Sequence, residues 1–408
     1  MDQSTRAQDA SAAKDLHSLD QDYVLQVVER LVSIPSVSGS EDALSTFVAD
    51  ELARLGLGVT VQEVLPGRRN VLGLLDTGRV GPTLMFNGHF DTLPIPAGWS
   101  ADPFTPRRVG GRLIGAEINN MKAAVGAMIG CMAALRDHRS RLKGRILFAG
   151  VIGECDALGL GATHMLRQGV SADCAINGEP TDLKVMTSHS GVTQLRLLVE
   201  GRSAHVSARE SGVNAIEKMM RLLAALDEHA LRFTAHPNFP GLPTLNVGTV
   251  RGGELPSMLA SSCEAEIDVR TVPGMTPESV KADIEAVIAR LSAVDSQVTA
   301  RVELFQPPKF VQERPFHVPV DEPIVRTVAA AHARLVGQPP EVGTLFPQVF
   351  YGTDSSHLLH AGIPTAIYGP GKVEDIHVPD EGIAIADIKT AAAVYVLSAL
   401  AVCGDRTA

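Results

Sequence analysis

Histidines and carboxylates recur in this chain where apolar runs break off. In "GHFD", His89 and Asp91 stand two residues apart. One imidazole nitrogen can take a metal ion while a carboxylate holds the other and fixes the tautomer. "IGECDALG" places Glu154 at the end of another run, followed by Cys155. A glutamate there can take a proton from water as a general base, or simply favour a helix N-terminus. "NGEP" adds Glu179, "EDIHVPDEG" adds His377 with Asp380 and Glu381 behind it, and "GRSAHVSARESGVNAI" sets His205 among small residues. Taken singly, each has a plainer reading as a surface histidine, a structural histidine or a solvated acid. Cys155 with a nearby histidine as base is a further candidate, as a nucleophile.

Four apolar runs must position these groups: Thr83–Asp91, Arg145–Cys155, Cys174–Pro180 and Thr365–Gly371. Bounded by Gly and Pro, they read as buried strands of a mostly parallel sheet. Helical patterns over Met121–Leu135 and Asp321–Val336 lie between them. In open α/β sheets, ligands bind beyond the carboxyl ends of the strands, and the candidate residues stand there. Residues 193–307 have a different rhythm, β-α-β-β-α-β, which is the ferredoxin-like order. The second helix of this segment starts at Thr276 as N-cap with Pro277 at the first helical position. The expected architecture is α/β: a catalytic domain of residues 21–192 and 308–408, an α+β domain inserted at 193–307, and a disordered lead over 1–20.

Composition narrows the class. With 408 residues, 45% hydrophobic, 20% charged and a net charge of −10, the chain has globular composition and no basic run suited to nucleic acid. The polar N-terminus lacks a signal-peptide core, and no run looks long and apolar enough to span a bilayer. Five scattered cysteines suit a reducing compartment. A cytoplasmic protein without nucleic-acid or membrane partners is expected.

The pieces together resemble one family: the metallopeptidases that include aminoacylase, acetylornithine deacetylase, succinyl-diaminopimelate desuccinylase and carboxypeptidase G. The resemblance is carried by "NGHFDTLP", "GWSADPFTP", "GAEINNMKAA", "GEC", "NGEPT", "GRSAHVS", "EIDVRTVPG", "YGTDSSHLLHAGIPTAIYGPG" and "IHVPDEG", spread from about residue 22 to 400. It implies a zinc-peptidase-like catalytic domain and an inserted lid and dimerisation domain. It also implies a two-metal hydrolase. One ion would be held by His89 and Glu179, the other by Cys155 and His377, with the bridging position at Asn120. Glu154 matches the general base and Asp91 the orienting acid. His205 matches the histidine that stabilises a developing oxyanion, often across a dimer. Asn246, Arg270, Gly369 and Gly371 match positions that hold the substrate carboxylate.

The departures cluster at the metal centre. Asn120 stands where the family pattern has a bridging Asp, and Cys155 where it has a Glu. Two divalent cations would be under-neutralised by what remains, so one divalent ion per subunit is expected, zinc or manganese. One ion can still lower the pKa of water and polarise a substrate. The expected activity is hydrolysis of a C–N bond, amide or amine, in a small carboxylate-bearing molecule, by a homodimer joined through the inserted domain. Deamination of an aromatic amine, as in the nitroanthranilate aminohydrolase branch, stands beside a two-metal N-acyl amino acid deacylase or carboxypeptidase. A catalytically inactive binding relative is the alternative from another class.

Overall fold

The computed structural model describes residues 15–226 and 231–405. The four apolar runs form strands, each shorter than its run: Thr83–His89, Arg145–Val151, Cys174–Asn177 and Thr365–Ile367. The polar residues at the end of each run leave the sheet as turns, which carry Asp91, Glu154, Cys155 and Glu179, while His89 is the last residue of its strand.

Eight strands form the main sheet. In order across it lie Gly58–Leu65, Arg68–Asp76, Arg145–Val151, Thr83–His89, Cys174–Asn177, Thr365–Ile367, Val185–Met186 and Val342–Gly343. The middle four are mutually parallel, while the Gly58–Leu65 edge and the pairing of Thr365–Ile367 with Val185–Met186 are antiparallel. The sheet is therefore mixed, with a parallel centre. Thr83–His89 is buried along its whole length and sits between the strands that lead to Glu154 and Glu179.

Helices Gln21–Val32, Ala123–Asp137 and Ile385–Cys403 pack with one another in the same unit. Ile118–Asp137 and Ile385–Cys403 are, by length and composition, apolar enough to cross a membrane, contrary to the sequence expectation. The first is almost wholly enclosed by protein and the second more than half so, as befits helices in a domain core. The expected disordered lead also needs correction. Residues 1–14 lie outside the described residues, but Asp15 pairs with Arg141 at 2.6 Å and Arg334 at 2.9 Å, and Asp20 caps the helix that follows.

The chain forms two compact units. One is His189–His317 with Val349–Gly352, and the other takes the remaining described residues. The first is wider than the expected insert of 193–307, for a hydrogen-bonding reason. Val192 and Glu313 exchange backbone bonds of 2.9 and 3.0 Å, and Ser190 donates to the Val349 carbonyl at 2.7 Å. Within this unit, Thr244–Gly252, Ser262–Thr271, Gly191–Glu200 and Thr299–Leu304 lie in that order as an antiparallel sheet. Ser262–Thr271 alternates between buried and less buried residues, the period of a strand covered on one face. Helices Ala215–Ala225 and Pro277–Val294 supply Met219, Leu222, Val280 and Ile284 to the unit's core. Thr276 and Ser279 close a reciprocal cap at the second helix.

Close helix packing in the larger unit depends on small residues. A Cβ at Gly126 would lie 2.3 Å from Val28 Cγ2, and one at Gly130 would lie 2.4 Å from Val24 Cγ2. Gly130→Val is expected to destabilise the protein by about 1–3 kcal/mol through overpacking, seen as a lower urea midpoint with an unchanged denaturant slope.

Candidate metal centre

His89 ends the central strand, is 1% exposed, and presents both ring nitrogens to fixed partners. Nδ1 lies 2.8 Å from the main-chain carbonyl of Asp91. Nε2 faces Asn120 Oδ1 at 3.1 Å, Glu179 Oε1 at 3.4 Å and Glu154 Oε2 at 3.7 Å. The Asp91 carboxylate stands 3.9 Å from Nδ1 and has other work. It accepts the backbone N–H groups of Glu154 at 3.1 Å and Cys155 at 2.9 Å, and the Ser38 hydroxyl at 3.3 Å. The expectation that this carboxylate fixes the tautomer is thus corrected. The carbonyl of Asp91 holds the imidazole, and its side chain holds the turn that carries the candidate base.

Glu179 is placed by a matched pair of buried asparagines. Asn87 and Asn177 are in register on adjacent parallel strands. Asn177 Nδ2 donates to Asn87 Oδ1 at 2.7 Å, and Asn177 Oδ1 accepts the Glu179 N–H at 3.2 Å. The repeat Asn-Gly-His and Asn-Gly-Glu in the sequence is the signal of this ladder. A Cβ at Gly178 would come within 2.7 Å of Met121 Cε, so the glycine lets the Asn120–Met121 segment approach the sheet. That peptide bond is cis.

The electrostatics are dominated by buried acids. Burial opposes charge on His89, yet Glu154, Glu179 and Asp91 hold its pKa well above the ordinary value. Burial pushes Glu154 well up, against the pull of His89 and with the help of Glu179, Asp354 and Asp91. Cys155 is likewise raised by burial and by Asp91, Glu154 and Glu179. Asp354 is pushed up to about 7, chiefly by burial. His377 is half-buried and lowered by burial and then by His89, so it stands within electrostatic reach of that ring.

Among the described residues, His89, Glu154 and Cys155 bring ligand atoms within 4.8 Å of one another. Glu179 Oε1 is buried without a hydrogen-bond partner. An orphaned carboxylate oxygen beside imidazole, amide oxygen and thiol is a donor set that fits a divalent cation.

The other expected residues have different surroundings. In the smaller unit, His205 Nδ1 accepts the Ser207 N–H at 3.2 Å and lies 2.8 Å from its hydroxyl. The neutral ring therefore carries its proton on Nε2. Asn246 is exposed. Arg270 is engaged by Asp268 at 2.7 Å and the Phe350 carbonyl at 3.0 Å. In the larger unit, the Gly369 N–H donates to Thr181 Oγ1 at 3.1 Å, and the Gly371 carbonyl accepts from Asp182 at 2.8 Å. The Gly369 amide is thus already committed, rather than offered to a substrate carboxylate.

The family model for peptidase family M20/M25/M40 matches residues 85–401. The chain belongs to this family. An acetylornithine deacetylase of Edwardsiella ictaluri (strain 93-146) is 31% identical over 86% of this chain and 90% of its own. A tripeptidase of Staphylococcus aureus subsp. aureus Mu50 shares the fold, with a TM-score of 0.75, 21% identity, and coverage of 94% of this chain and 99% of that one. So does the YxeP protein of Bacillus subtilis, described as a dinuclear metal-binding peptidase, with a TM-score of 0.69, 17% identity, and coverage of 94% and 98%. The M20 chain is a metal-dependent hydrolase of C–N bonds.

In this M20 protein the segment bearing Asn120 is anchored by a buried charge cluster. Lys122 Nζ pairs with Glu117 and donates to the Ile34 carbonyl at 2.5 Å. Ser36 donates to Glu117 at 3.0 Å, and the Glu117 N–H donates to Glu381. Burial pushes the Glu381 carboxyl up to about 7. Lys122→Met would leave Glu117 buried without its cation. The expected cost is about 3–5 kcal/mol, read by urea denaturation, with partial recovery when Glu117→Gln is added.

Proposed function

We propose that this protein hydrolyses a C–N bond of a small carboxylate-bearing substrate at a centre that holds one divalent ion. The observation that carries the reading is the convergence of Asn120, Glu179 and Glu154 on His89 Nε2, with an amide and a thiol where the family pattern has carboxylates. His89 and Glu179 would hold the ion, with Asn120, Cys155 or His377 completing its surroundings. Once bound, it supplies the Lewis acidity that activates water and polarises the scissile group.

The chain's own residues do the rest. Glu154, with its pKa raised by burial and neighbouring acids, takes a proton from water and returns it to the leaving nitrogen. Asp91 holds the turn that carries this base, through the N–H groups of Glu154 and Cys155. His205, with its proton on Nε2, is a donor suited to a developing oxyanion. For the substrate, similarity to an acetylornithine deacetylase favours an N-acyl amino acid. The single-ion centre favours the second reading, hydrolytic deamination of an aromatic amine such as nitroanthranilate. We infer a homodimer through the smaller unit, supported by the edge position of Thr244–Gly252 and the exposed Val247 and Val250 on it.

Glu154→Gln is expected to lower kcat by roughly 100-fold or more while leaving bound metal unchanged. Near-normal turnover in the variant would remove Glu154 from the proton transfer. Metal content by mass spectrometry should give one ion per chain, rising to two in Asn120→Asp. Two ions in the unaltered protein would restore the conventional two-ion site. Release of acetate from N-acetyl amino acids, against ammonia from aminobenzoates, separates the two substrate readings.

A further inference from the structure

We propose that Arg68 is a positioning residue for Glu154, acting through Asp156 to hold the turn that carries the base. The inference rests on the reading of Glu154 as general base, and it adds a second brace to the one that Asp91 supplies.

Arg68 is the first residue of the strand Arg68–Asp76, and both edges of its guanidinium meet carboxylates. One edge holds Glu41, with Nε 3.0 Å from Oε2 and a terminal nitrogen 2.5 Å from Oε1. The other edge holds Asp156, at 2.9 Å to Oδ2 and 3.1 Å to Oδ1. Glu41 is fully buried and also accepts the Gly39 N–H at 3.0 Å. The neighbouring Ser38 donates to the Asp91 carboxylate at 3.3 Å. Asp156 stands two residues after Glu154 and next to Cys155. The turn is thus gripped at two points: Asp91 takes its N–H groups at 154 and 155, and Arg68 takes its side chain at 156.

The two edges do different things. A buried carboxylate needs its cation, and the Glu41 edge meets that need by itself. The Asp156 edge adds a pair whose acid side chain is 36% exposed, and pairs so exposed contribute little to stability. What this edge contributes is direction. Two parallel N–H···O bonds fix a carboxylate in a plane as well as at a distance, which the single ammonium of a lysine would not do. Behind Asp156 the turn is closed by its own backbone: the Leu158 N–H donates to the Glu154 carbonyl at 2.9 Å, and the Gly159 and Leu160 N–H groups donate to the Gly153 carbonyl at 3.0 and 3.1 Å. The Arg68 fork ties that closed turn to the sheet. A general base works only when it is held close to the proton it takes, and small displacements cost much of the rate.

The test substitutes Asp156, because replacing Arg68 would leave Glu41 buried without its cation and mix position with folding. In the full-length enzyme as purified, Asp156→Asn should lower kcat by roughly tenfold, with KM, metal content and urea midpoint unchanged. Asp156→Glu should recover part of the loss. In a Glu154→Gln background, Asp156→Asn should have no further effect, since a residue that acts only through the base has nothing left to act on. An unchanged kcat in Asp156→Asn, or the same loss in both backgrounds, would overturn the proposal and leave Glu154 as the base. Normal turnover in Glu154→Gln itself would overturn both. A second measurement needs no substrate. Alkylation of Cys155 by iodoacetamide, followed by peptide mass spectrometry, should be faster by roughly threefold or more in Asp156→Asn as the turn opens more often, with Cys174 unchanged. Equal Cys155 rates in parent and variant would overturn the proposal.

Discussion

Carboxylates buried around one imidazole set the terms for the rest of this structure. Asp91, Glu154, Glu179 and Asp354 are all nearly inaccessible, and His89 is the cation they share. Like charges crowded out of water destabilise a fold unless something neutralises them. The parallel centre of the sheet creates the problem by delivering three strand ends to one place. It also creates the use, because a pocket short of positive charge is one that draws in a cation.

The amide at position 120 and the thiol at 155 adjust that balance without dismantling the site. Asn120 sets an oxygen 3.1 Å from His89 Nε2, the placement that a ligand to the proposed ion would have, without a carboxylate's charge. Cys155 keeps its backbone bond to Asp91. The buried Glu179 oxygen faces His89 Nε2 at 3.4 Å without a hydrogen bond of good geometry, an arrangement that costs stability unless an ion shares it. That cost argues against a relative that has given up the ion.

Sequence made the strand ends legible because apolar runs that stop at Gly-His or Gly-Glu are bounded by their own chemistry. The helix start at Thr276 was equally plain, since a cap acts over three residues. The runs overreached because hydropathy does not register the point where hydrogen bonding to the next strand stops. Asp354 was not legible. The motif around it was in view, but its burial depends on the helix at Ser355–His360 docking on the Leu158 loop, and no local pattern encodes that. Asn87 was hidden for the opposite reason, as a polar residue inside an apolar run whose partner, Asn177, appears only when the two strands come into register. The long helix Ile385–Cys403 was missed as a span-length segment, since Asp387 and Lys389 near its start obscure the apolar stretch that follows.

The division of labour within Asp91 has a mechanical consequence. Its carbonyl fixes the ring of His89, and its carboxylate fixes the backbone of Glu154 and Cys155. One residue therefore sets both the direction of the His89 ring and the position of the Glu154 backbone. Had the carboxylate held the imidazole instead, the base would rest on a turn with two unsatisfied amides, and its distance to His89 could vary with the loop. With the carboxylate on the turn, the two groups cannot move independently. That coupling would serve the proton transfer proposed for Glu154, with the Asp91 carboxylate acting through the turn rather than through the imidazole.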